Sequence, residues 1–542
     1  MKISADLYSE GRHGMAVAPH AQAAESGASV LAEGGNAIEA CVAMAATLAA
    51  VYPHMTGLGG DSFWLLHQPG SRVQSVFGCG RSAANVNHET YTRAGFKQIP
   101  YRGGKAAITV AGTVSGWEQA LAISTQQWNG KLSLSRLVSD AVDFCRQGYT
   151  VTASQAMATA IKYDELASQP GFVNVFLRNG SLPVAGDRMT QPKLADTLEH
   201  LARAGLDDFY RGELAEAIAQ DLEEAGSPLA RDDFASHHAL HCEPISLRVA
   251  NAEVFTTAAP TQGAATLMML GQFARRPVGV AVQEDVDTIH WLVEATKQAF
   301  AVRNKCIRDP QLMAESTQSL LDTTRLDALV DDIDGYHAAP WGEVTSPADT
   351  TWFGAIDAEG RAVSCIQSIY HEFGSGVVLP ASGLCWQNRG ASFSLQLGHP
   401  LELKPSTLPF HTLCPSIAHF DDGRRMVFGT MGGDGQPQTQ AILFTRYTDY
   451  AQPLHQAVSA PRWVLGRTWG DHSDNLKMES RFDPMLIAVL RQRGHNITML
   501  ADYDETVGHA GAIVRHPDGQ LEGASDPRSD GAAIAVNRES VV

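Results

Sequence analysis

Residues 349–357, DTTWFGAID, and residues 362–370, AVSCIQSIY, decide the fold of this 542-residue chain. Both runs are rich in β-branched, aromatic and other apolar residues, which favours strands. The residues between them, Asp357-Ala358-Glu359-Gly360, have the composition of a turn. We therefore expect a β-hairpin with strands at residues 350–356 and 362–370.

Thr350 stands at the head of the first predicted strand and admits two interpretations. Threonine favours strands, so its position needs no functional explanation. Alternatively, cleavage of the Asp349–Thr350 bond would leave Thr350 with a free α-amino group beside its own hydroxyl. One residue would then supply both a nucleophile and a general base. The hairpin residues by themselves leave both interpretations open.

The composition limits the class of protein. The chain is 44% hydrophobic and 18% charged, as is typical of a globular enzyme. Its formal net charge of −18 argues against nucleic acid and acidic membrane surfaces as partners, although a local cationic pocket could still bind an anion. The eight cysteines show no CxxC motif or regular spacing, which favours reduced, mostly buried thiols.

The N-terminal residues show no apolar signal segment, and the longest apolar stretch, residues 40–51, is too short to span a membrane. We therefore expect a cytoplasmic protein without a membrane partner. The histidine-rich residues 236–242 match no zinc signature, so no metal is expected there. Residues 57–61, GLGGD, lack the spacing of a phosphate loop.

Two further expectations concern the region before Thr350. Residues 287–303 have the periodicity of a helix, with Asp287 as its N-cap. Residues 311–348 are polar and contain Pro340, which is typical of a flexible connection leading to the proposed cleavage point.

Several motifs together resemble the γ-glutamyltransferase family of self-cleaving N-terminal-nucleophile hydrolases. Around the hairpin these are Thr350-Thr351, the Asp-x-x-Gly turn, the Ala-Val-Ser strand and Phe373-Gly374-Ser375-Gly376. Residues 110–117 (VAGTVSGW), 259–263 (APTQG) and 290–300 (HWLVEATKQAF) extend the likeness to nearly the whole chain.

The resemblance implies an α+β fold, a four-layer αββα sandwich. It also implies a large fragment of residues 1–349 and a small fragment of residues 350–542, held together as a heterodimer within one αββα domain. Whether this unit forms a further dimer is left open by the sequence.

The resemblance also implies catalytic roles. Thr350 is expected to be the nucleophile, and Gly432 and Gly433, in the motif GTMGGD, to form an oxyanion hole with their backbone N–H groups. Ser368 matches a hydroxyl-bearing position near the nucleophile. No metal or organic cofactor is expected.

The residues that bind substrate in the family are replaced in this chain. Cys79 stands where the family has its carboxylate-binding arginine, and Tyr370 stands where it has an asparagine. Ser392 is nearest to the family's aspartate, and His411-Thr412 replaces a pair of serines. These departures indicate that the pocket does not recognise a γ-glutamyl group.

Two arginines are candidates for binding a substrate carboxylate, because a guanidinium can bind a carboxylate bidentately. Arg81 lies two residues after Cys79, although it could equally be a solvated surface residue. Arg389 lies in the segment that replaces the family's acidic one. The candidate substrate-binding residues are therefore Arg81, Tyr370, Arg389, His411 and Thr412. Residues 57–61 resemble the family's glycine-rich turn before a central strand, which implies that two backbones pass closely there, and Asp61 stands where the family often has a further glycine.

These variants resemble a hydrolytic branch of the family that includes oxamate amidohydrolase, of purine-ring catabolism, and β-lactam side-chain acylases. We expect a self-processing amidohydrolase that cleaves a small carboxylate-bearing amide through an acyl-enzyme on Thr350. Oxamate, giving oxalate and ammonia, is the leading substrate. The alternatives are a γ-glutamyl hydrolase or transferase acting on glutathione-like substrates, a cephalosporin or glutaryl acylase, and an uncleaved scaffold without activity.

Overall fold

A computed structural model describes residues 7–277, 284–342, 349–466 and 474–537, with only the backbone described for Asp349. The strands are β1 (Tyr8–Gly11), β2 (Gly14–Ala18), β3 (Asp61–His67), β4 (Gln74–Gly78), β5 (Tyr149–Thr150), β6 (Arg188–Met189), β7 (Leu240–Cys242), β8 (Ile245–Val249), β9 (Ala252–Thr256), β10 (Asp349–Asp357), β11 (Ala362–Tyr370), β12 (Ser416–Phe420), β13 (Arg425–Thr430), β14 (Trp463–Leu465), β15 (Leu476–Glu479), β16 (Ile497–Leu500), β17 (Ala510–Arg515), β18 (Leu521–Ser525) and β19 (Ala532–Ala535).

The helices occur mainly before residue 350. They are α1 (Ala21–Ala32), α2 (Ala37–Val51), α3 (His88–Thr92), α4 (Thr113–Gln127), α5 (Leu134–Leu137), α6 (Ser139–Gln147), α7 (Ala153–Leu166), α8 (Phe172–Phe176), α9 (Pro192–Ala204), α10 (Asp208–Arg211), α11 (Glu213–Glu224), α12 (Arg231–Ala235), α13 (Gly263–Ala274), α14 (Val286–Cys306), α15 (Thr323–Asp331), α16 (Gly435–Thr448), α17 (Leu454–Ser459) and α18 (Pro484–Gln492).

Two seven-stranded antiparallel sheets form the centre of the molecule. The first has the order β19-β2-β10-β11-β3-β4-β7, and the second has the order β1-β18-β17-β13-β12-β9-β8. Apolar side chains of both sheets fill the space between them, among them Phe63, Trp352, Ile366, Val427 and Ile513. Helices α1, α2 and α4 pack on the outside of the first sheet, and α13, α16 and α17 on the outside of the second. The predicted αββα sandwich is confirmed.

The predicted hairpin is the centre of the first sheet. β10 extends one residue beyond the expected strand at each end, and β11 has the expected bounds. β2 flanks β10 and β3 flanks β11, so both hairpin strands are buried on both faces. This burial explains why the two sequence runs are almost continuously apolar.

Trp352 fixes the separation of the two sheets. Its indole ring points into the space between them and lies against Gly429 and Gly511 of the opposite sheet. A Cβ atom at Gly429 would come within 2.1 Å of the ring, and one at Gly511 within 2.3 Å. Only glycine therefore leaves room for this side chain at these two positions.

The close passage expected at the glycines of residues 57–61 is confirmed. A Cβ atom at Gly60 would lie 2.1 Å from the carbonyl oxygen of Ser368, and one at Gly59 would lie 2.2 Å from that of Cys385. The turn therefore brings Asp61, the first residue of β3, directly beside the end of β11.

The predicted N-cap of the helix before Thr350 is wrong. The N-cap of α14 is Asp285, whose side chain accepts a hydrogen bond from the Thr288 N–H at 2.9 Å. Asp287 lies in the first turn and pairs with Arg493. Residues 311–348 are not wholly irregular, because α15 lies within them and buries Leu326. Residues 343–348 lie outside the described residues.

All eight cysteines are free thiols and six of them are buried, as the sequence predicts. Within the described ranges, no helix combines the length and the apolar character needed to cross a bilayer.

Candidate active site

Thr350 lies at the open end of the central hairpin. Asp349 pairs with Tyr370 and Thr351 with Gln367, and an irregularity between these two pairs places Thr350 opposite the end of β11. The side chain of Thr350 is fully buried. Ser368, expected near the nucleophile, lies on this adjacent stretch, and its Oγ accepts a hydrogen bond from the Tyr370 N–H at 2.8 Å.

Gln436 contacts the Thr350 hydroxyl and was not predicted from the sequence. It lies in the first turn of α16, and its Nε2 donates to Thr350 Oγ1 at 3.3 Å. Its Oε1 accepts from the Cys414 N–H at 3.2 Å, which fixes the orientation of the amide. In the sequence, the signal that could have identified Gln436 is its position as a polar residue immediately after the GTMGGDG turn.

The predicted oxyanion-hole glycines form the turn between β13 and α16. Gly432 and Gly433 have φ angles of +115° and +53°, a region that side chains other than glycine rarely adopt. Their carbonyl groups accept hydrogen bonds from the first residues of α16. In the described part of the chain, neither N–H group donates to an acceptor, so both can stabilise an oxyanion.

A buried ion pair holds this turn. Gln262 Nε2 donates to the carbonyl oxygens of Gly433 and Thr412, each at 2.8 Å. Arg303 in turn donates to the side chains of Gln262 and Asp434, each at 2.7 Å. The APTQG motif and α14 therefore position the turn, a role that the sequence did not indicate.

Arg389 is a buried cation for which the described residues supply no hydrogen-bond acceptor. Its side chain is fully buried, and none of its three guanidinium nitrogens has an acceptor among the described residues. The guanidinium lies 3.9 Å above the ring of Tyr370. Burial lowers the pKa of Arg389 to about 10, so the group stays charged at neutral pH. Because an unpaired buried charge is costly, this position is suited to binding an anionic ligand.

Asp61 and His411 lie close to this cation. Asp61 Oδ1 accepts three hydrogen bonds, from the backbone N–H groups of Gly80 and Gly112 and from Gln387 Nε2. Its Oδ2 lies 3.9 Å from Nε2 of His411. Neither Asp61 Oδ2 nor the His411 ring nitrogens have a hydrogen-bonding partner within the described ranges.

Burial and the neighbouring guanidinium set the protonation of this pair. Burial raises the pKa of Asp61 to about 7, although the positive charge of Arg389 acts in the opposite direction. Burial is the main reason why the pKa of His411 lies well below its usual range, and the positive charge of Arg389 lowers it further. His411 is therefore neutral at physiological pH.

A cavity of about 600 Å³ is lined by Tyr370, whose ring separates it from the buried guanidinium of Arg389. Its wall includes Tyr370, Ser392 and Thr412, three of the residues that replace substrate-binding residues of the resembled family. The hydroxyls of Ser392 and Thr412 have no hydrogen-bonding partner among the described residues. The cavity also reaches Arg303 and Asp434, below the oxyanion turn.

Arg81 lies elsewhere. It forms an ion pair with Asp309 at 2.9 Å and donates to the carbonyl of Ser406 at 3.0 Å. It lines a separate cavity of about 250 Å³ together with Cys79 and His237. The structure thus brings together Tyr370, Arg389, His411 and Thr412, and keeps Arg81 paired with Asp309.

One side-chain group in the described ranges has the composition of a metal site: His290, Glu294 and His495. The two histidines already contact each other, at 2.8 Å between ring nitrogens. Lys297 donates to Glu294 at 2.6 Å, and its ammonium neutralises the carboxylate. We therefore derive no catalytic role from this group, which lies apart from Thr350.

The αββα sandwich, with two stacked antiparallel sheets between helical layers, defines the N-terminal-nucleophile hydrolase class. The sequence profile of the family described as Gamma-glutamyltranspeptidase matches residues 23–536. The chain therefore belongs to the gamma-glutamyltranspeptidase family and is an amidohydrolase.

Individual relatives cover nearly the whole chain. An oxamate amidohydrolase proenzyme of Klebsiella pneumoniae subsp. pneumoniae is 52% identical, over 96% of this chain and 98% of its own. The glutathione hydrolase-like YwrD proenzyme of Bacillus subtilis is 40% identical over 97% and 99%. The crystal structure of a cephalosporin acylase from Bacillus halodurans superimposes with a TM-score of 0.89 at 30% identity, over 99% and 98%.

Proposed function

We propose that this protein is a self-processing amidohydrolase that hydrolyses a small amide carrying a carboxylate, with oxamate as the leading substrate. The observation that carries the proposal is Arg389, a fully buried guanidinium whose three nitrogens find no acceptor in the part of the chain that the structure describes. The 52% identity to an oxamate amidohydrolase proenzyme supports the choice of substrate.

The first step is cleavage of the Asp349–Thr350 bond. Thr350 Oγ1 attacks the carbonyl carbon of Asp349, the acyl group moves from nitrogen to oxygen, and water hydrolyses the resulting ester. The products are residues 1–349 and 350–542, which stay together because strands of the first sheet come from both fragments. The relatives described as proenzymes support this step.

In the processed enzyme the free α-amino group of Thr350 is the general base. Its pKa of roughly 7.7–8.0 in unperturbed chains lies close to working pH. It takes the proton of the hydroxyl as Oγ1 attacks the amide carbon, and it returns the proton to the departing ammonia. Water then attacks the ester carbon of the acyl-enzyme, its proton passes through the α-amino group to Oγ1, and the carboxylate product leaves. The N–H groups of Gly432 and Gly433 stabilise the oxyanion, and losing one such donor typically costs about 10²–10³ in rate.

Substrate selection follows from the buried charge. A ligand carboxylate on Arg389 would replace the solvation that burial removes from the guanidinium. The α-amino group of a γ-glutamyl substrate would find the neutral Ser392 where the family has an aspartate. The pocket therefore favours an amide with a carboxylate and no ammonium group.

The test is ammonia release from oxamate by wild type and by Thr350→Ala, with product release from glutathione and a γ-glutamyl anilide measured in parallel. We expect turnover of oxamate by wild type, none by Thr350→Ala, and little release from the γ-glutamyl compounds. Preferential turnover of the γ-glutamyl compounds would contradict the proposed substrate class.

A cephalosporin or glutaryl acylase is the second candidate. The cavity of about 600 Å³ is larger than oxamate requires, and the chain superimposes closely on a cephalosporin acylase. Faster turnover of a glutaryl amide than of oxamate would favour this candidate. The cytoplasmic location and a role in purine-ring catabolism stay predictions.

A further inference from the structure

Asp61 and His411 have no role in the reaction as described above, yet both are fully buried beside Arg389. No nitrogen of Arg389 lies within 4.0 Å of a carboxylate oxygen of a described residue. The guanidinium and the carboxyl of Asp61 therefore interact through space without direct contact. A ligand carboxylate can bind to the guanidinium without displacing Asp61.

The total charge of this group changes when an anion binds. With Asp61 ionised, His411 neutral and Arg389 positive, the three side chains sum to zero. A ligand carboxylate would add a negative charge in a region that water does not reach, which is strongly unfavourable. We propose that the Asp61–His411 pair takes up one proton from solvent when a ligand carboxylate binds to Arg389, an inference that rests on the proposed function.

The geometry identifies the atom that receives the proton. Asp61 Oδ1 already accepts three hydrogen bonds, so protonating it would break existing contacts. Oδ2 has no donor among the described residues and faces His411 Nε2 across 3.9 Å. A proton on Oδ2 costs no hydrogen bond, and closing the gap by about 1 Å would let it be donated to His411.

The other titratable groups near Asp61 stay neutral. Cys79 and Tyr210 both interact with its charge, but burial raises the pKa of the thiol and of the phenol above their usual ranges. The remaining neighbours are the uncharged Gln387 and the backbone of Gly80 and Gly112. Within the pair, Asp61 is therefore the group that accepts a proton at neutral pH, and the neutral His411 ring is positioned to accept a hydrogen bond from it.

The sign of the pH dependence follows from these charges. In the free protein burial raises the pKa of Asp61 to about 7, and a ligand that neutralises Arg389 would raise it further. Above pH 7 binding must therefore be accompanied by proton uptake, and affinity falls up to tenfold for each pH unit. Below pH 7 Asp61 is already protonated, and the uptake disappears.

The experiment is titration calorimetry of the processed enzyme with oxalate, the proposed product, in two buffers with different ionisation enthalpies. The α-amino group of Thr350 also titrates in this range, so the informative quantity is the difference between wild type and Asp61→Asn. Asparagine keeps the Oδ1 acceptor and cannot take up the proton. At pH 8.5 we expect wild type to take up about one proton more per bound oxalate than Asp61→Asn does. At pH 6 we expect the two proteins to take up the same number.

Glu505→Gln is the matched control. Burial also raises the pKa of Glu505 to about 7, but this carboxyl interacts with Asp504, Asp530 and Ser154 and not with Arg389. Its proton count should equal that of wild type. Equal counts in wild type and Asp61→Asn would overturn the inference while leaving the role of Arg389 intact.

If Asp61→Asn does not fold or cleave itself, oxalate binding to wild type and to Glu505→Gln gives two further tests. The oxalate dissociation constant of wild type and Glu505→Gln should rise steeply between pH 7.5 and 9, and a flat profile would overturn the inference. Absence of oxalate binding to wild type at pH 6 would overturn it together with the proposed function.

Discussion

Gln436 donates a hydrogen bond from Nε2 to Oγ1 of Thr350 across 3.3 Å. Its other amide atom is held by the Cys414 N–H, so the contact has a defined direction. This hydrogen bond occupies one lone pair of the hydroxyl and leaves the other lone pair and the O–H group directed away from Gln436. We infer that Gln436 is a positioning residue for the attack on the Asp349 carbonyl and on the substrate.

Replacing Gln436 by alanine should slow both self-cleavage and kcat. A hydrogen bond between neutral groups contributes about 0.5–1.5 kcal/mol, which corresponds to a rate loss of about 2- to 12-fold. The measurement is the rate of fragment appearance together with ammonia release. Gln220→Ala, an exposed glutamine of α11, is the control, and an equal loss in both variants would argue against a role for Gln436.

Replacing Arg389 should reduce kcat/KM for oxamate, mainly through KM. Removing one partner of a buried charge pair typically costs about 2–5 kcal/mol, so Arg389→Gln should lose at least about 30-fold. The substitution also removes a buried cation that has no acceptor among the described residues of the ligand-free protein. The melting temperature of Arg389→Gln should therefore not fall below that of wild type.

Arg81→Gln is the control for this prediction. Arg81 is paired with Asp309 and its side chain is 33% exposed, so kcat/KM should change less than about threefold. A larger loss in Arg81→Gln than in Arg389→Gln would show that Arg81 is the arginine that binds the carboxylate.

Gly60→Ala should impair folding and self-cleavage. The new Cβ atom would lie 2.1 Å from the carbonyl oxygen of Ser368, a contact that requires the end of β11, next to Thr350, to shift away from residue 60. Soluble yield, melting temperature and cleavage rate are the measurements. Gly335→Ala, with no atom within 4 Å of its added Cβ, should behave like wild type in all three.

Glu505→Gln should stabilise the protein at high pH and not at low pH. Burial raises the pKa of Glu505 in the folded state to about 7, above its usual value. Protonation of this carboxyl therefore favours the folded state, and this stability is fully present at pH values below the usual pKa. That stability is lost as the pH rises through about 7, where the buried carboxyl ionises. The melting temperature of Glu505→Gln should therefore exceed that of wild type at pH 8 and match it at pH 4.5. A constant difference at both values would contradict this assignment.

The parts of the structure that depend on local sequence could be predicted. The hairpin and its bounds follow from two apolar runs around Asp357 and Gly360, and the turn at Gly432 and Gly433 follows from consecutive glycines after a strand. The layer architecture required the family resemblance, because alternating strands and helices are compatible with several folds.

Contacts between distant residues could not be predicted. Whether Arg81 or Arg389 is free to bind an anion depends on Asp309, which lies more than 200 residues from Arg81 and pairs with it in space. The juxtaposition of Asp61 and His411 likewise depends on β3 and on the segment before β12 meeting in the tertiary fold. The cap of α14 was misplaced by two residues, because Asp285 and Asp287 are both suitable caps and only the backbone geometry distinguishes them.

The intact mass of the purified, active enzyme, combined with N-terminal sequencing, shows directly whether the bond between residues 349 and 350 has been cut. Our account predicts two polypeptides, one ending at Asp349 and the other beginning with Thr350, and a single uncleaved chain for Thr350→Ala. A fully active preparation consisting of one intact polypeptide would contradict the account, because Thr350 would then have no α-amino group to act as its base.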